Sequence, residues 1–393
     1  MNISNGDKHN LMQWLKNNSS DSVGLEELDW SKPLKIKWGL DPTTPDLHIG
    51  HFSIMKRLRV LQDAGHIVYF VLGDYTARIG DPSGKKQTRP LLTAEQVAIN
   101  ATTYKEQALL ILKEENTRFV CNNDWLSKLT LTDTLALCAQ VKVGRLLSRD
   151  DFRNRLNSDK PFALHELLYP ILVAYDSVEL NSDIEVGGTD QWTNLMAGRH
   201  LLQSYGRNQS IVSFPLLPGL SGEDKMSKSL GNSLHRGVKE PYGKIMSIDD
   251  PKMERYFEAL TIQCDLSNPM ERKKYLAWSV TNLLYGKERA DREQEAFIRR
   301  VVNKTMDDDD IEEVILPISV KSKLLRHILI SLGLVSSGSA AYRLMVQGGI
   351  KVDGEIVGPS FILDTDEILC TIGKRRAIRI KKSTETTIVR STI

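Results

Sequence analysis

The sequence predicts an α/β fold: a parallel sheet with flanking helices, then an all-α stretch, then a small α+β unit. Three observations carry this expectation. Short apolar runs alternate with segments of helical periodicity through the first half, which implies parallel strands joined by crossover helices. From about Asp249 to Val302 the pattern is helical throughout. From about Ile318 two short helical patterns precede strand-like stretches rich in Lys and Arg.

Residues 34–40, "LKIKWGL", read as the first strand. Ile49 to Ala64 reads as a helix, because Ile54, Leu58 and Leu61 fall at i, i+4 and i+7 with charged residues between them. "HIVYFVLGD" follows as a buried strand running into the Gly-rich loop "RIGDPSGKK". Residues 94–114 look helical, and "TRFVC" looks like a strand. Residues 125–175 are mostly helical and interrupt the alternation as an insertion would. "SDIEVGGTDQWTN" resumes it with a strand, a Gly-Gly turn and a helix start; "SIVSFPLL" is a further strand before the charged "SGEDKMSKSLGN". "MDDDDIEEV" reads as an acidic helix end or linker. In the last part a helix is expected over Ser322–Ser331 and a second in "SGSAAYRLMVQGG", which ends in a plausible Gly-Gly cap. The strand-like stretches "IKVDGEIV" and "DEILCTIGKRRAIRIKK" follow.

The bulk composition narrows the function. The 393 residues are 41% hydrophobic and 26% charged, as in an ordinary globular chain with room for two or three domains. No apolar run is long enough for a membrane helix, and "MNISNGDKHN" lacks the apolar core of a signal peptide. Cys121, Cys138, Cys264 and Cys370 are widely separated; neither a disulfide framework nor a metal-ligand pair is suggested, so no protein metal site is expected and a reducing cytoplasm fits. The net charge of +2 conceals an asymmetry: residues 318–393 hold 12 Lys/Arg against 6 Asp/Glu, which leaves the body at 40 against 44. A basic tail on a mildly acidic body suits an anionic partner, although solubility alone would also explain it.

Two motifs carry the chemistry. In "KWGLDPTTPDLHIGH", residues 37–51, a strand passes through a Pro-rich turn into a helix headed by His48 and His51. Ligands of open α/β sheets bind beyond the carboxyl ends of the strands, and helix N-termini favour anions. Two imidazoles there can donate to phosphate oxygens, and Gly50 removes a side chain where a flat base must approach. A helix with two incidental histidines, or a zinc pair at i, i+3 lacking further ligands, are the other readings of this stretch alone. The second motif, "KMSKS" at residues 225–229, offers two ammonium groups three residues apart on a Gly/Ser-flanked loop. Mobile lysines suit a triphosphate whose charge grows on departing pyrophosphate. The two motifs together point to a nucleotide-activating site.

"GLDPTTPDLHIGH", "IGDPSGKKQTRP", "LLYP…AYDS", "GGTDQWTN" and "DKMSKSLGN", in that order, resemble the class I aminoacyl-tRNA synthetases, and bacterial tyrosyl-tRNA synthetases most closely. "SAAYRLMVQGGIKVDGEIV" and "GKRRAIRI" are similar to an S4-type RNA-binding domain. Tryptophan enzymes, the nearest relatives in the class, usually lack both the "DPTTPDLH" form of the loop and the S4 tail. The resemblance covers nearly the whole chain. It implies a Rossmann-like catalytic domain over 1–235 with the insertion at about 125–175, a helical anticodon-side domain over 236–310, and an S4 unit over 318–382. The implied reaction joins tyrosine to tRNA(Tyr) through an adenylate, with ATP supplied as its Mg2+ complex, in a cytoplasmic homodimer. The residue roles follow from the same source. Thr43, His48 and His51 would stabilise the phosphates in the transition state, and Lys225, Lys228 and Ser229 would form a mobile loop. Gly39, Asp41, Gly188 and Asp190 would line the adenosine and aminoacyl region, with Gly50 also at the ATP site. Gln191 would orient the reacting carboxylate; Thr76, Asp81 and Tyr169 would hold the α-ammonium; Asp176 would accept from the phenol hydroxyl. Lys321, Arg343, Lys351, Lys374, Arg375 and Arg376 would face RNA.

Three positions depart from the family pattern. Val173 stands where a glutamine usually contacts the ammonium. Trp38 stands where a small residue usually lies by the ribose; there it would crowd the nucleotide, unless it turns into packing. Lys37 stands where some members place a tyrosine against the substrate hydroxyl. These departures raise the alternative of a diverged copy that activates a tyrosine analogue, such as β-tyrosine, or tolerates an inhibitor. A non-catalytic RNA-binding factor is a further alternative, one with no need of Lys225 and Lys228.

Overall fold

The computed structural model describes residues 8–83, 92–147, 150–159, 163–221, 226, 231–299, 311–317, 320, 322–373 and 376–382. The chain divides into two compact units, 1–290 and 291–393.

The first unit is built on a six-stranded sheet. Its strands are β1 (Asp21–Val23), β2 (Lys35–Leu40), β3 (Ile67–Leu72), β4 (Thr117–Cys121), β5 (Ile184–Gly188) and β6 (Ser210–Phe214). The order is β1-β6-β5-β2-β3-β4. All neighbours are parallel except β1, which caps the edge antiparallel to β6. The helices of the alternating region are α1 (Lys8–Asn17), α2 (Ile49–Asp63), α3 (Ala94–Ala101) and α4 (Tyr104–Ala108). The insertion contributes α5 (Asn123–Leu126), α6 (Leu131–Ala139), α7 (Val143–Leu147), α8 (Asp150–Asn157) and α9 (Leu164–Leu180). α10 (Trp192–Ser204) follows β5, and α11 (Pro241–Met246), α12 (Asp250–Ala259) and α13 (Pro269–Tyr285) continue the helical stretch, whose last helix, α14 (Lys287–Phe297), spans the division between the units at residue 290.

β2 and β5 are neighbours in the sheet although far apart in sequence. The chain leaves β2 toward β3 and β4 on one side, and leaves β5 toward β6 on the other. This is the topological switch point, where the loops beyond two adjacent strands diverge and open a crevice. The β2–α2 turn and the β5–α10 turn flank that crevice. α9 runs beside it and carries Pro170, which cannot donate to the carbonyl of Glu166. Asn181, in the left-handed region at φ 46°, ends α9.

The expected helix over 94–114 divides into α3 and α4, then ends in turns. The stretch from Asp249 to Val302 is likewise interrupted between Ala259 and Pro269.

The second unit holds a five-stranded sheet, β7 (Glu312–Leu316), β8 (Ile350–Val352), β9 (Glu355–Ile356), β10 (Glu367–Ile372) and β11 (Arg376–Lys382), in the order β7-β11-β10-β8-β9. α15 (Leu325–Ser331) and α16 (Gly338–Val346) pack on it, and α15 begins later than Ser322. Leu325, Ile328, Leu329, Ala341 and Met345 interlock with Ile350, Ile368, Cys370 and Ile378 to form its core. One expectation is corrected here. Glu312–Leu316, part of which reads as acidic linker, is a strand parallel to β11. Val314 and Leu316 pack against the core, while Glu313 pairs with Lys381, so an exposed acidic edge hid an amphipathic strand.

The candidate active site

Alternation along β2 sends consecutive side chains to opposite faces of the sheet. Trp38 lies in register with Phe70, and their rings meet edge to face at 5.1 Å; Phe119 continues the stack. The indole is buried in this aromatic layer. The expectation that Trp38 contacts the substrate is therefore corrected: β-strand alternation turns it away from the face that Lys37 occupies.

Lys37 shares its face with Glu185, its registered partner on β5. The Lys37 ammonium is fully buried and lies 2.8 Å from a Glu185 carboxylate oxygen. It also donates to the Val173 carbonyl at 2.7 Å and to Ser177 Oγ at 2.9 Å. An ammonium has three donors, and these three acceptors use them all. Lys37, expected among the substrate-binding residues, has its three donors engaged by protein acceptors.

Asp176, on the next turn of α9, is 2% exposed. It accepts from Trp125 Nε1 at 2.8 Å and from Asn122 Nδ2 at 3.3 Å. Burial pushes its carboxyl up to about 6, against the pull of the Lys37 charge and the two donors. Asn122 also donates to Thr76 Oγ1 at 3.0 Å, and Thr76 donates to Asp41 Oδ1 at 2.7 Å. Tyr169 donates to the other Asp41 oxygen at 3.0 Å. One hydrogen-bonded chain thus runs from Trp125 through Asp176, Asn122, Thr76 and Asp41 to Tyr169. Asp41, expected along the adenosine and aminoacyl region, bonds Thr76 and Tyr169 of the cluster expected to hold the ammonium.

Burial raises the Asp41 carboxyl to about 7; Asp81 and Asp176 push the same way, while the Thr76 and Tyr169 donors oppose them. Burial, with Asp41 and Asp81 nearby, holds the Tyr169 phenol well above its usual range, so it remains a neutral donor. Asp81 accepts from Gln191 Nε2 at 2.7 Å, and Gln191 in turn accepts from Asn194 at 2.8 Å. Gln191 closes the 3-10 turn Thr189–Gln191 beyond β5, so Asp81 is tied across the switch point. Val173 is half-buried on α9.

At the head of α2 the His48 and His51 rings stack at 3.8 Å, and the His48 N–H donates to His51 Nδ1 at 3.1 Å. A side chain at residue 50 would come within 2.9 Å of the His48 ring, so Gly50 leaves room for that imidazole. His48 forms an isolated antiparallel bridge with His235, and the Ile49 N–H donates to the Leu234 carbonyl at 2.9 Å. Gly39 is exposed, and an added side chain would meet nothing closer than 4.0 Å. Gly188 is tightly placed: a Cβ would lie 2.7 Å from Leu216 and 2.8 Å from Asp190. Thr43 donates its N–H to the Asp41 carbonyl at 2.8 Å in the turn after β2. Tyr104, Gln107 and Asn100 bond the carbonyls of Thr44, Pro45 and Pro42, and so stitch this turn to α3 and α4. Lys225, Lys228 and Ser229 lie outside the described residues, as do Lys321, Lys374, Arg375 and the Arg376 side chain. Arg343 and Lys351 are exposed on the second unit.

The site also contains residues outside the two motifs: Asn122, Trp125, Glu185 and Ser177, and Gly73, where a Cβ would stand 2.0 Å from Asp41 Oδ1. A signal existed for the charged pair. Lys37 and Glu185 are charges of opposite sign, each inside an apolar strand run, and two such strands need a common answer. Among the described residues no group of three or more His, Cys, Asp or Glu is placed to hold a metal ion, and no helix is long and apolar enough to cross a membrane.

A parallel sheet with a paired-histidine helix start and a carboxylate-lined crevice at its switch point defines the architecture of a class I aminoacyl-tRNA synthetase. The chain belongs to that class's W and Y family, tRNA synthetases class I (W and Y), whose model matches residues 29–312; an S4 domain matches residues 327–369. It is 43% identical over 378 residues to the tyrosine--tRNA ligase of Geobacter metallireducens, covering 90% of this chain and 92% of that one. The tyrosine--tRNA ligase of Thermotoga maritima is 40% identical over 388 residues, with 93% and 96% covered. Among solved structures, a C-terminally truncated Aspergillus nidulans mitochondrial tyrosyl-tRNA synthetase is similar in fold at TM-score 0.61 and 22% identity, covering 72% of this chain and 92% of that one. The Archaeoglobus fulgidus tyrosyl-tRNA synthetase complexed with L-tyrosine gives 0.59 at 21% identity, covering 73% and 100%.

Proposed function

We propose that this chain is a tyrosine–tRNA ligase. One observation carries the reading: a single hydrogen-bonded chain joins Asp176 at one end of the pocket to Asp41 and Tyr169 at the other, with Asp81 alongside. A phenol hydroxyl facing Asp176 and an α-ammonium facing Asp41 and Asp81 is how a pocket of this charge takes tyrosine. An amino acid without the hydroxyl would leave the buried Asp176 carboxylate short of a partner, which costs about 1–3 kcal/mol or more.

The tyrosine carboxylate is already ionised, so no general base is required. It attacks the α-phosphorus of ATP, which arrives as its Mg2+ complex; the phosphoanhydride bond breaks and pyrophosphate leaves with the electron pair. His48 and His51, with Thr43, donate toward the phosphates, and Lys225 and Lys228 meet the charge on the leaving group. Gln191, held by Asp81 and Asn194, positions the carboxylate. Catalysis rests on orientation and charge stabilisation. The terminal ribose hydroxyl of tRNA(Tyr) then attacks the adenylate carbonyl and AMP leaves. The helical region and the S4 unit, with its net positive charge, would hold the tRNA in a salt-dependent manner. The insertion exposes Leu131, Leu135, Val143 and Leu164, an apolar surface suited to a second copy of the chain. The reaction is assigned to the cytoplasm, in keeping with four free cysteines.

ATP–pyrophosphate exchange across tyrosine, phenylalanine, tryptophan and β-tyrosine tests the reading. Strong preference for tyrosine is expected, and Val173→Gln should lower the KM for tyrosine by adding an acceptor near the ammonium. Exchange with tryptophan, or with no amino acid, would sink it. The case for an altered substrate rested on Trp38 and Val173 together, and the burial of Trp38 on the opposite face removes half of it.

The acidic cluster also sets a pH dependence. Burial raises the Asp41 carboxyl to about 7, so protonated and ionised forms coexist near neutral pH. An incoming ammonium favours the ionised carboxylate. Tyrosine binding near pH 7 is therefore expected to release protons, and KM should rise as pH falls below the neutral range. Calorimetric titration in two buffers of different ionisation enthalpy measures the release; equal heats in both would refute the assignment.

A further inference from the structure

Beneath the pocket floor lies a closed polar triad that the reaction above does not use. Glu185 accepts from the Lys37 ammonium at 2.8 Å through one oxygen and from Ser177 Oγ at 3.0 Å through the other. Ser177 accepts from Lys37 at 2.9 Å. All three side chains are buried. Packing on the far side is adapted to the carboxylate: in α10 an added Cβ at Gly198 would stand 2.5 Å from a Glu185 oxygen. A glycine inside a helix costs stability relative to alanine, and here it leaves space for a charged group in the central layer.

We propose that Glu185 is a positioning residue for hydroxyl selection: it holds the Lys37 ammonium down against β5 and Ser177, which keeps Asp176 available to the substrate hydroxyl. The inference rests on the tyrosine reading. Ser177 is the sequence neighbour of Asp176, and the Lys37 charge already acts on the Asp176 carboxyl. With the Glu185 charge removed, Asp176 is an anion whose carboxyl already feels that ammonium. An ammonium turned toward Asp176 would compete with the phenol hydroxyl for the same oxygens. The groups that face Asp176 are Lys37 from β2, Glu185 from β5, Asp41 from the turn beyond β2, Tyr169 from α9, and the donors Asn122 and Trp125.

The test uses the full chain and measures kcat/KM for tyrosine and phenylalanine in ATP–pyrophosphate exchange against pH, with Glu185→Gln, Lys37→Met and the double variant. Glu185→Gln keeps the shape and removes the charge. It should move the acidic limb of the tyrosine-over-phenylalanine ratio, in which the ammonium contact common to both substrates cancels, to lower pH and reduce that ratio by about tenfold, the equivalent of one pKa unit of lost interaction. Lys37→Met should move the limb the other way, and the double variant should return it toward the wild type. Should Lys37→Met fail to fold, Glu185→Gln carries the test alone. A lowered melting temperature with an unmoved limb and an unchanged substrate ratio would overturn the proposal, leaving the pair a structural strut. Wild-type chain without tyrosine-dependent exchange would overturn the tyrosine reading and this inference with it.

Discussion

Gly73→Ala is expected to reduce tyrosine-dependent ATP–pyrophosphate exchange by about 100-fold, the scale on which a displacement of about 1 Å acts on a positioned reactant. Gly73 follows β3, and its φ is not in the left-handed region, so alanine is allowed by the backbone. The obstacle is steric. A Cβ would lie 2.0 Å from Asp41 Oδ1 and 2.5 Å from Thr76 Oγ1. The backbone cannot easily retreat, because the Gly73 N–H donates to the Leu40 carbonyl at 2.9 Å and its own carbonyl accepts from Ala77 at 2.8 Å. Asp41 must therefore swing away, breaking its bonds to Thr76 and Tyr169. The loss should appear mainly as a raised KM for tyrosine, with KM for ATP less affected. Gly358→Ala, where nothing lies within 4 Å, is the neutral control. Near-normal tyrosine kinetics in Gly73→Ala would show that Asp41 does not hold the ammonium.

The five parallel strands were legible because they are apolar runs spaced by helical periodicity, and "TRFVC" is β4 residue for residue; β1, three residues long and antiparallel at the edge, was not. The two signature motifs were legible for a different reason: their residue types are unusual at a strand–helix turn and on a Gly/Ser-flanked loop. What could not be read were groups whose role depends on register. Trp38 and Lys37 are adjacent, and only the pairing of β2 with β3 and β5 decides that one joins Phe70 while the other meets Glu185. Asn122 and Trp125 carry no motif; they reach Asp176 because β4 lies at the sheet edge beyond β3, a fact of strand order. Gly73 looks like any turn glycine until Asp41 is placed against it. The strand Glu312–Leu316 was hidden by its acidic neighbours, since its apolar residues Val314 and Leu316 only make sense beside β11.

Arg155→Met should be the most damaging single change to the fold of the first unit. Arg155, in the last turn of α8, makes a two-pronged ion pair with Glu166 in the first turn of α9, at 2.7 and 3.0 Å. Both side chains are almost fully buried, at 3% and 4% exposure. Glu166 also accepts from the Ala163 N–H at 2.9 Å, so its carboxylate fixes where α9 begins. Methionine fills the volume but takes away the ionic partner, leaving a carboxylate out of water without its countercharge. Breaking a buried pair from one side costs about 3–5 kcal/mol, whereas replacing both members with apolar residues is often nearly neutral. For a unit of this size the cost corresponds to a fall of about 10 °C in the unfolding transition. Arg155→Met with Glu166→Leu should recover most of it, and this non-additivity separates a stranded charge from lost packing. The activity consequence follows from the same helix. α9 carries Tyr169 and Asp176, the members of the hydrogen-bonded chain that bond Asp41 and Trp125, so a start that slips should raise KM for tyrosine in the single variant even below its melting temperature. Equal melting points for the single and double variants would mean that the pair contributes shape alone, and that α9 takes its position from its own Ile171 and Ala174 packed with Leu137, Leu146 and Leu201.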